Sequence, residues 1–259
     1  MDEGKYIYCI IDDVKGQTLH CNPAKSFGPI GIGGRGDDLY TICFQDIGAV
    51  VSNSPIKKYS VSRENCLSHE KAIEEVMKYH TVLPVRFCTI AGDEEKVKRI
   101  LQREYSRFKG LLKSISGKKE LGLKAVFREE ILYTDILTQY EYIRSLKEKI
   151  ILEPPETTHH LMIEIGRMVE AALEKEKTRY REEILPILEP IAEEVKINRA
   201  IGERMILNAA FLVKELQEKE FDEKVSGLDN RLGKKVKFKY VSNLPPFNFI
   251  NLIINAGEY

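Results

Sequence analysis

The sequence predicts an α+β protein made of two segments, and three features of the 259-residue chain indicate this. Short runs of aromatic and β-branched residues alternate with amphipathic helical patterns as far as residue 130. Helical periodicity then dominates from about residue 131 to residue 201, and a strand, a helix and a further strand follow it. We therefore expect an N-terminal domain at 1–130 and a helical plus smaller α+β C-terminal domain at 131–259.

The first segment has the pattern of an antiparallel sheet covered by helices. One helix begins near Ser62, and a second has Asp93 as its N-cap and ends at Gly117. Pro84 opens the fourth strand, a position that proline tolerates. The predicted strands are Tyr6–Ile11, Leu39–Phe44, Ala49–Ser52, Leu83–Ile90 and Leu121–Phe127. Their order, β, ββ, α, β, α, β, contains the ferredoxin-like arrangement, in which two helices cover one face of the sheet.

The second segment begins with helices. Candidates at 134–150 and 157–184 are separated by a Glu-Pro-Pro sequence, and we expect Pro186 and Pro190 to break the second and start a shorter one. A strand at 204–216, a helix at 218–232 and a strand at 235–241 complete the segment.

Composition and charge exclude several classes of protein. Lys and Arg number 40 and Asp and Glu number 40, so the net charge is zero and no basic excess favours nucleic acid. Tyr6 and Tyr8 share a strand face that could stack bases, but an RNP1-type pattern is absent and core packing is favoured. The chain also lacks a signal-peptide pattern and a run of the roughly 20 apolar residues that cross a bilayer. We expect a cytoplasmic protein without nucleic-acid or membrane partners, whose near-zero charge favours self-association.

Candidate catalytic and metal-binding residues do not form a recognisable constellation in the sequence. The five cysteines include no CxxC pair, which excludes the usual zinc-ribbon and redox motifs. Cys66 and His69 lie one helical turn apart, but a third metal ligand is not evident. Cys88 lies in an apolar strand, where burial would raise the pKa of its thiol. We expect no catalytic residue, no metal site and no cofactor.

A glycine-rich loop offers one alternative function. The residues Gly31-Ile32-Gly33-Gly34-Arg35-Gly36 match GxGxxG. Dinucleotide binding requires a strand directly before this motif and a helix directly after it, whereas a loop precedes it here and a strand pattern follows. This context favours a structural loop. A small-molecule or nucleotide-binding regulatory domain that uses the Gly31–Gly36 loop is the alternative interpretation.

Several motifs resemble one protein family. They occur in the family's order across nearly the whole chain, as YIY from Tyr6, DIGAVVS from Asp46, HEKAIEEV from His69, TVLPVRFCTI from Thr81, GKKELGLK from Gly117, LNAAFLV from Leu207 and PFNF from Pro246. With these motifs the chain resembles the gas vesicle GvpL/GvpF family. It departs from the family in having Leu121 where Trp is frequent, and Asn-Leu-Pro-Pro from Asn243 where the family often has Gly-Pro-Trp-Pro.

The resemblance implies a non-enzymatic accessory protein of gas vesicle assembly. It implies contacts with the small hydrophobic shell protein and with other gas vesicle accessory proteins, and it implies a modified ferredoxin-like domain joined to an α-helical and β domain. We expect two segments to form the interaction surface, because one is a sheet edge weakened by proline and the other is rich in Pro and Phe. The candidate residues are Arg86, Phe87, Pro245, Pro246, Phe247 and Phe249. The alternative is that both segments hold the protein's own domains together.

Overall fold

The structure is a computed structural model that describes residues 2–12, 27–152, 154 and 158–254, and it confirms the α+β class. The strands are β1 (Glu3–Asp12), β2 (Tyr40–Phe44), β3 (Ile47–Pro55), β4 (Val82–Pro84), β5 (Ile90–Ala91), β6 (Lys118–Phe127), β7 (Glu194–Ile197), β8 (Met205–Lys214) and β9 (Val236–Leu244). The helices are α1 (Arg63–Met77), α2 (Glu94–Arg103), α3 (Tyr105–Ile115), α4 (Glu129–Gln139), α5 (Glu141–Leu152), α6 (His159–Leu188) and α7 (Glu218–Leu232).

The chain divides into two compact units. Unit 1 is Met1–Glu120 together with Asn243–Tyr259, and unit 2 is Leu121–Ser242. These units differ in their boundaries from the segments 1–130 and 131–259 predicted above. The difference has a packing cause, because Ile250, Leu252 and Ile254 are buried in the core of unit 1 although they stand at the end of the chain.

Unit 1 contains an antiparallel sheet in the order β2-β3-β1-β4, with β5 also paired to β1. The central strand β1 is apolar on both faces, as expected of a strand that is covered on both sides. A bulge between Ile7 and Cys9 shifts its register against β3. One face packs against α1, with Tyr6 and Tyr8 in that core, and the other face, with Ile7 and Ile10, packs against α2 and α3.

This arrangement corrects the ferredoxin-like prediction in two respects. The helices lie on opposite faces of the sheet, because side chains from both faces of β1 need cover. The strand predicted at Leu121–Phe127 is β6, which belongs to the second sheet instead of the first.

Unit 2 is organised around a four-stranded sheet in the order β7-β8-β6-β9. Its core is formed by inward side chains of the sheet and by α6 and α7, and two aromatic pairs mark it: Phe127 with Tyr180, and Phe211 with Phe221. None of the helices in the described residues is long and apolar enough to span a membrane.

Several predicted elements have different bounds in the structure. The predicted strand 83–90 is interrupted after β4, because the chain turns at 86–89 before β5. The predicted helix after Asp93 is divided at Glu104, whose φ and ψ of −94° and 7° are not helical. Pro186 does not break α6, which continues to Leu188, and β7 lies in a stretch predicted to be helical. The helix start near Ser62, the N-cap at Asp93 and the helix at 218–232 are confirmed.

Candidate functional site

A cavity that could receive a partner lies in unit 1, and we call it the α1 groove. Its volume is about 590 Å³, and its walls are α1, the segment 84–87 and the segment 247–253. Its lining residues are Cys66, His69, Glu70, Pro84, Val85, Arg86, Phe87, Phe247, Ile250, Asn251, Leu252 and Ile253. The structure therefore brings three predicted interaction residues, Arg86, Phe87 and Phe247, to one cavity.

The segment 84–87 forms a wall of the groove because β4 ends at Pro84, which has no amide hydrogen to continue the ladder. Val85 N still donates to Tyr8 O at 2.9 Å, and Thr89 Oγ1 donates to Arg86 O at 2.7 Å, which closes a turn. Cys88 in this turn has a φ of 66°. The turn leaves the Arg86 side chain exposed and the Phe87 side chain half-buried.

A buried hydrogen-bond network supports this wall. Tyr6 Oη accepts from Cys88 N at 2.9 Å and so donates to His69 Nδ1 at 3.1 Å. His69 Nε2 then carries the hydrogen and donates to Val85 O at 3.1 Å. Burial lowers the pKa of His69 to about 4, so the ring is neutral at neutral pH. Both ring nitrogens are therefore engaged in holding the groove wall.

The opposite wall is held by a buried carboxylate. Glu120 is only 2% exposed, and its two oxygens accept hydrogen bonds from Asn248 N at 3.0 Å and from Asn248 Nδ2 at 2.6 Å. Burial raises the pKa of Glu120 in spite of these bonds. Pro245 and Pro246 are buried, whereas Phe247 remains 42% exposed and Phe249 is half-buried. Of the C-terminal candidates, Phe247 is therefore the one that a partner can reach most readily.

The groove has one ionisable side chain on each of two walls, Glu70 and Arg86. Burial, and secondly the negative charge of Glu74, raise the pKa of Glu70 on α1. Arg86 on the facing segment has no ion-pair partner among the described residues. The groove thus combines an apolar lining with one acidic and one basic side chain.

The Gly31–Gly36 loop is built as a packed structural element. Ile32 is buried, and its amide donates to Tyr8 Oη at 2.7 Å. A Cβ on Gly33 would lie 3.1 Å from the Tyr59 ring, and the residue has a φ of 80°. The loop leads into strand β2, as the sequence predicted. Gly33 therefore serves close packing against Tyr59, and Ile32 anchors the loop on Tyr8.

Other chemically active groups are dispersed or engaged. In the ranges that the structure describes, no three His, Cys, Asp or Glu side chains are grouped so that they could hold a metal ion. Cys66 and His69 do line the same groove, but the ring nitrogens of His69 already have partners. The Cys88 thiol lies 3.3 Å from Tyr59 N, which donates to it.

Some residues of the groove were not predicted from the sequence. Ile250, Leu252 and Ile253 were not predicted as site residues, and His69 was considered only as a metal ligand and as part of a family motif. The available signal for an extended segment was the polar Asn251 between the apolar Ile250 and Leu252.

Comparisons with known proteins identify close similarity to one group. The protein-family model described as "Gas vesicle synthesis protein GvpL/GvpF" matches residues 4–251. The gas vesicle protein F of Dolichospermum flosaquae is 27% identical over 199 residues, which are 76% of this chain and 80% of that protein. The gas vesicle protein F of a Nostoc species is 24% identical over 255 residues, 97% of this chain and all of that protein.

Solved structures show the same fold. The crystal structure of the gas vesicle protein GvpF from Anabaena sp. PCC7120 matches with a TM-score of 0.79 at 23% identity, over 96% of this chain and 99% of that chain. The crystal structure of GvpF from Microcystis aeruginosa matches with a TM-score of 0.73 at 24% identity, with the same coverage.

Proposed function

Because the chain belongs to the GvpL/GvpF family of gas vesicle synthesis proteins, we propose that it is a non-enzymatic accessory or minor structural protein of gas vesicle assembly. It binds the hydrophobic shell protein and other accessory proteins during nucleation or growth of the vesicle. It acts in the cytoplasm and at the gas vesicle.

The observation that carries this proposal is the α1 groove. A shell subunit that has not yet polymerised exposes apolar surface and open strand edges, and both promote aggregation. The groove is lined by apolar side chains that could contact such a surface. Among them, Phe247 is 42% exposed and Ile253 is 47% exposed. A protein with such a groove can cover the apolar surface of a subunit until the subunit joins the growing wall.

The state of the polar groups near the groove supports a binding role over a catalytic one. His69 is neutral and hydrogen-bonded at both nitrogens, and Glu120 is occupied by Asn248. These groups fix the groove walls in place, and a preformed site loses less entropy when its partner binds.

The test is capture of the shell protein by the tagged full-length chain, with both proteins co-expressed from the same gene cluster. We expect the wild type to retain soluble shell protein at a fixed ratio. Ile253→Asp should reduce capture at least about tenfold, because a carboxylate would be buried in an apolar contact. Ile201→Asp is the matched control, since Ile201 is 75% exposed and does not line the groove.

Thermal unfolding of both variants separates binding from folding. Ile253 is 47% exposed and Ile201 75% exposed, so we expect melting temperatures close to that of the wild type. Failure of the folded wild type to capture shell protein would contradict the proposal and would direct attention to the other accessory proteins or to self-association. Equal loss of capture by the two variants would contradict the assignment to the groove. A matching loss of thermal stability in Ile253→Asp would favour a role of the C-terminal segment in the protein's own fold.

A further inference from the structure

The segment 250–254 has the features of an edge strand. Ile250, Leu252 and Ile254 are buried, whereas Asn251 and Ile253 are exposed, an alternation typical of extended chain. Leu252 forms a parallel bridge with Val85, and its carbonyl accepts from Arg86 N at 3.2 Å. Leu252 therefore turns its backbone groups toward the end of β4.

The other side of this segment is not paired by any residue that the structure describes. Since consecutive residues of an extended strand direct their backbone groups to opposite edges, Asn251 and Ile253 face away from β4. Their amide and carbonyl groups have no hydrogen-bond partner within residues 2–12, 27–152, 154 and 158–254. We call this row of groups the C-terminal edge. An open edge of this kind is a template for another strand.

The side chains of the same two residues connect the edge with the groove. Asn251 and Ile253 line the α1 groove and are exposed, whereas Ile250 and Leu252, which also border it, are buried in the core that contains α2 and α3. A strand added at the edge would place every second side chain on the exposed face of the segment. The apolar lining around Phe247 then suits apolar residues at alternate positions.

We propose that the C-terminal edge binds an extended segment of the shell protein as an additional β-strand, whose alternate apolar side chains cover the α1 groove. This inference rests on the function proposed above and adds how the partner is recognised. In strand addition, main-chain hydrogen bonds supply affinity, and pockets for alternate side chains supply specificity. A helix would leave the edge unpaired, because its own backbone groups are already bonded within the helix.

The chemistry of the partner follows from its need to polymerise. A subunit that associates edge to edge has a free strand edge that can pair with the C-terminal edge, and it is apolar on the side that becomes buried. The Arg86 guanidinium, exposed on the neighbouring segment without an ion pair in the described chain, is placed to donate hydrogen bonds to a carboxylate or a backbone carbonyl beside that strand.

The test compares Ile253→Pro with Ile253→Ala in the full-length chain, with co-expressed shell protein as the probe. Both variants remove the side chain, but only proline removes the amide hydrogen, which has no partner within the described chain. We expect Ile253→Pro to bind about tenfold more weakly than Ile253→Ala, because a partner carbonyl would be left without its donor. Melting temperatures of the two variants should agree, since an extended residue 252 is compatible with a following proline.

Amide hydrogen exchange of the wild-type complex gives a second measurement that needs no variant. We expect the amides of Asn251 and Ile253 to exchange rapidly in the free protein and slowly in the complex. Equal capture by the proline and alanine variants, or unchanged exchange at both amides in a stable complex, would overturn strand addition and leave the proposed function intact. Protection of the edge by a second copy of this chain would overturn the assigned partner. Absence of any shell-protein capture would remove the proposed function and this inference together.

Discussion

At the scale of single residues, the groove depends on polar groups that are buried and fully used. Tyr6 lies between Cys88 N and His69, and His69 in turn holds Val85 O. A buried polar group without a partner costs about 1–3 kcal/mol, so this chain of bonds fixes the positions of α1 and the turn relative to β1. The same network makes stability depend on pH.

The first prediction concerns His69→Gln. The pKa of His69 is about 4 in the folded protein against an ordinary 6.5, so the unfolded chain takes up a proton that the folded chain does not. The stabilisation from neutral His69 is complete above pH 6.5 and is lost as the pH falls toward 4, by up to about 1.4 kcal/mol per pH unit. Glutamine does not titrate in this range.

Urea unfolding of the wild type and of His69→Gln at pH 7.5, 5.5 and 4.5 checks this prediction. We expect the wild type to lose its advantage over the variant as the solution is acidified. A difference in unfolding free energy that stays constant over these pH values would show that His69 titrates normally in the folded protein.

At the scale of elements, the sequence predicted the helices and strands that are determined by residues within or next to them. The helix start near Ser62, the N-cap Asp93 and the helix 218–232 follow from side chains close to the elements they define. Strand β7 was not predicted, because Glu194–Ile197 is only four residues long and is defined as a strand by its pairing with β8. The groove was predicted only in part for a similar reason. The sequence indicated its segments one by one, but only the folded chain brings α1 beside the C-terminal segment.

Helix α6 gives the prediction at this scale. Pro186 lies inside the helix and is exposed, so it removes one intrahelical hydrogen bond while contributing little packing. Proline costs about 3 kcal/mol relative to alanine in a helix interior, and its restriction of the unfolded chain offsets about 1 kcal/mol. We therefore expect Pro186→Ala to stabilise unit 2 by about 1–2 kcal/mol. Chemical denaturation followed by circular dichroism measures this, and a less stable variant would mean that the proline shapes the helix end for packing.

At the scale of the whole molecule, the path of the chain explains why unit 1 needs its last residues. The chain leaves unit 1 after Glu120 and returns to it at Asn243. Two anchors hold the returning segment: the bonds from Asn248 to Glu120 and the burial of Ile250, Leu252 and Ile254. The wall of the α1 groove and a part of the core of unit 1 are thus the same stretch of chain.

This arrangement predicts the effect of shortening the protein. A chain that ends at Ser242 loses the burial of three isoleucine and leucine side chains, each contributing about 1.5–3 kcal/mol. That loss is comparable with the whole stability of a typical domain, about 5–15 kcal/mol. We expect the amides of β1 and β3 to lose protection from hydrogen exchange, whereas those of β8 keep it, because the core around β8 is made by residues of unit 2.

A chain that ends at Ile254 is the control and should keep the protection of both sheets. Equal loss of protection in β8 would show that the last residues also stabilise unit 2, whereas full protection of β1 without them would show that they serve the groove alone.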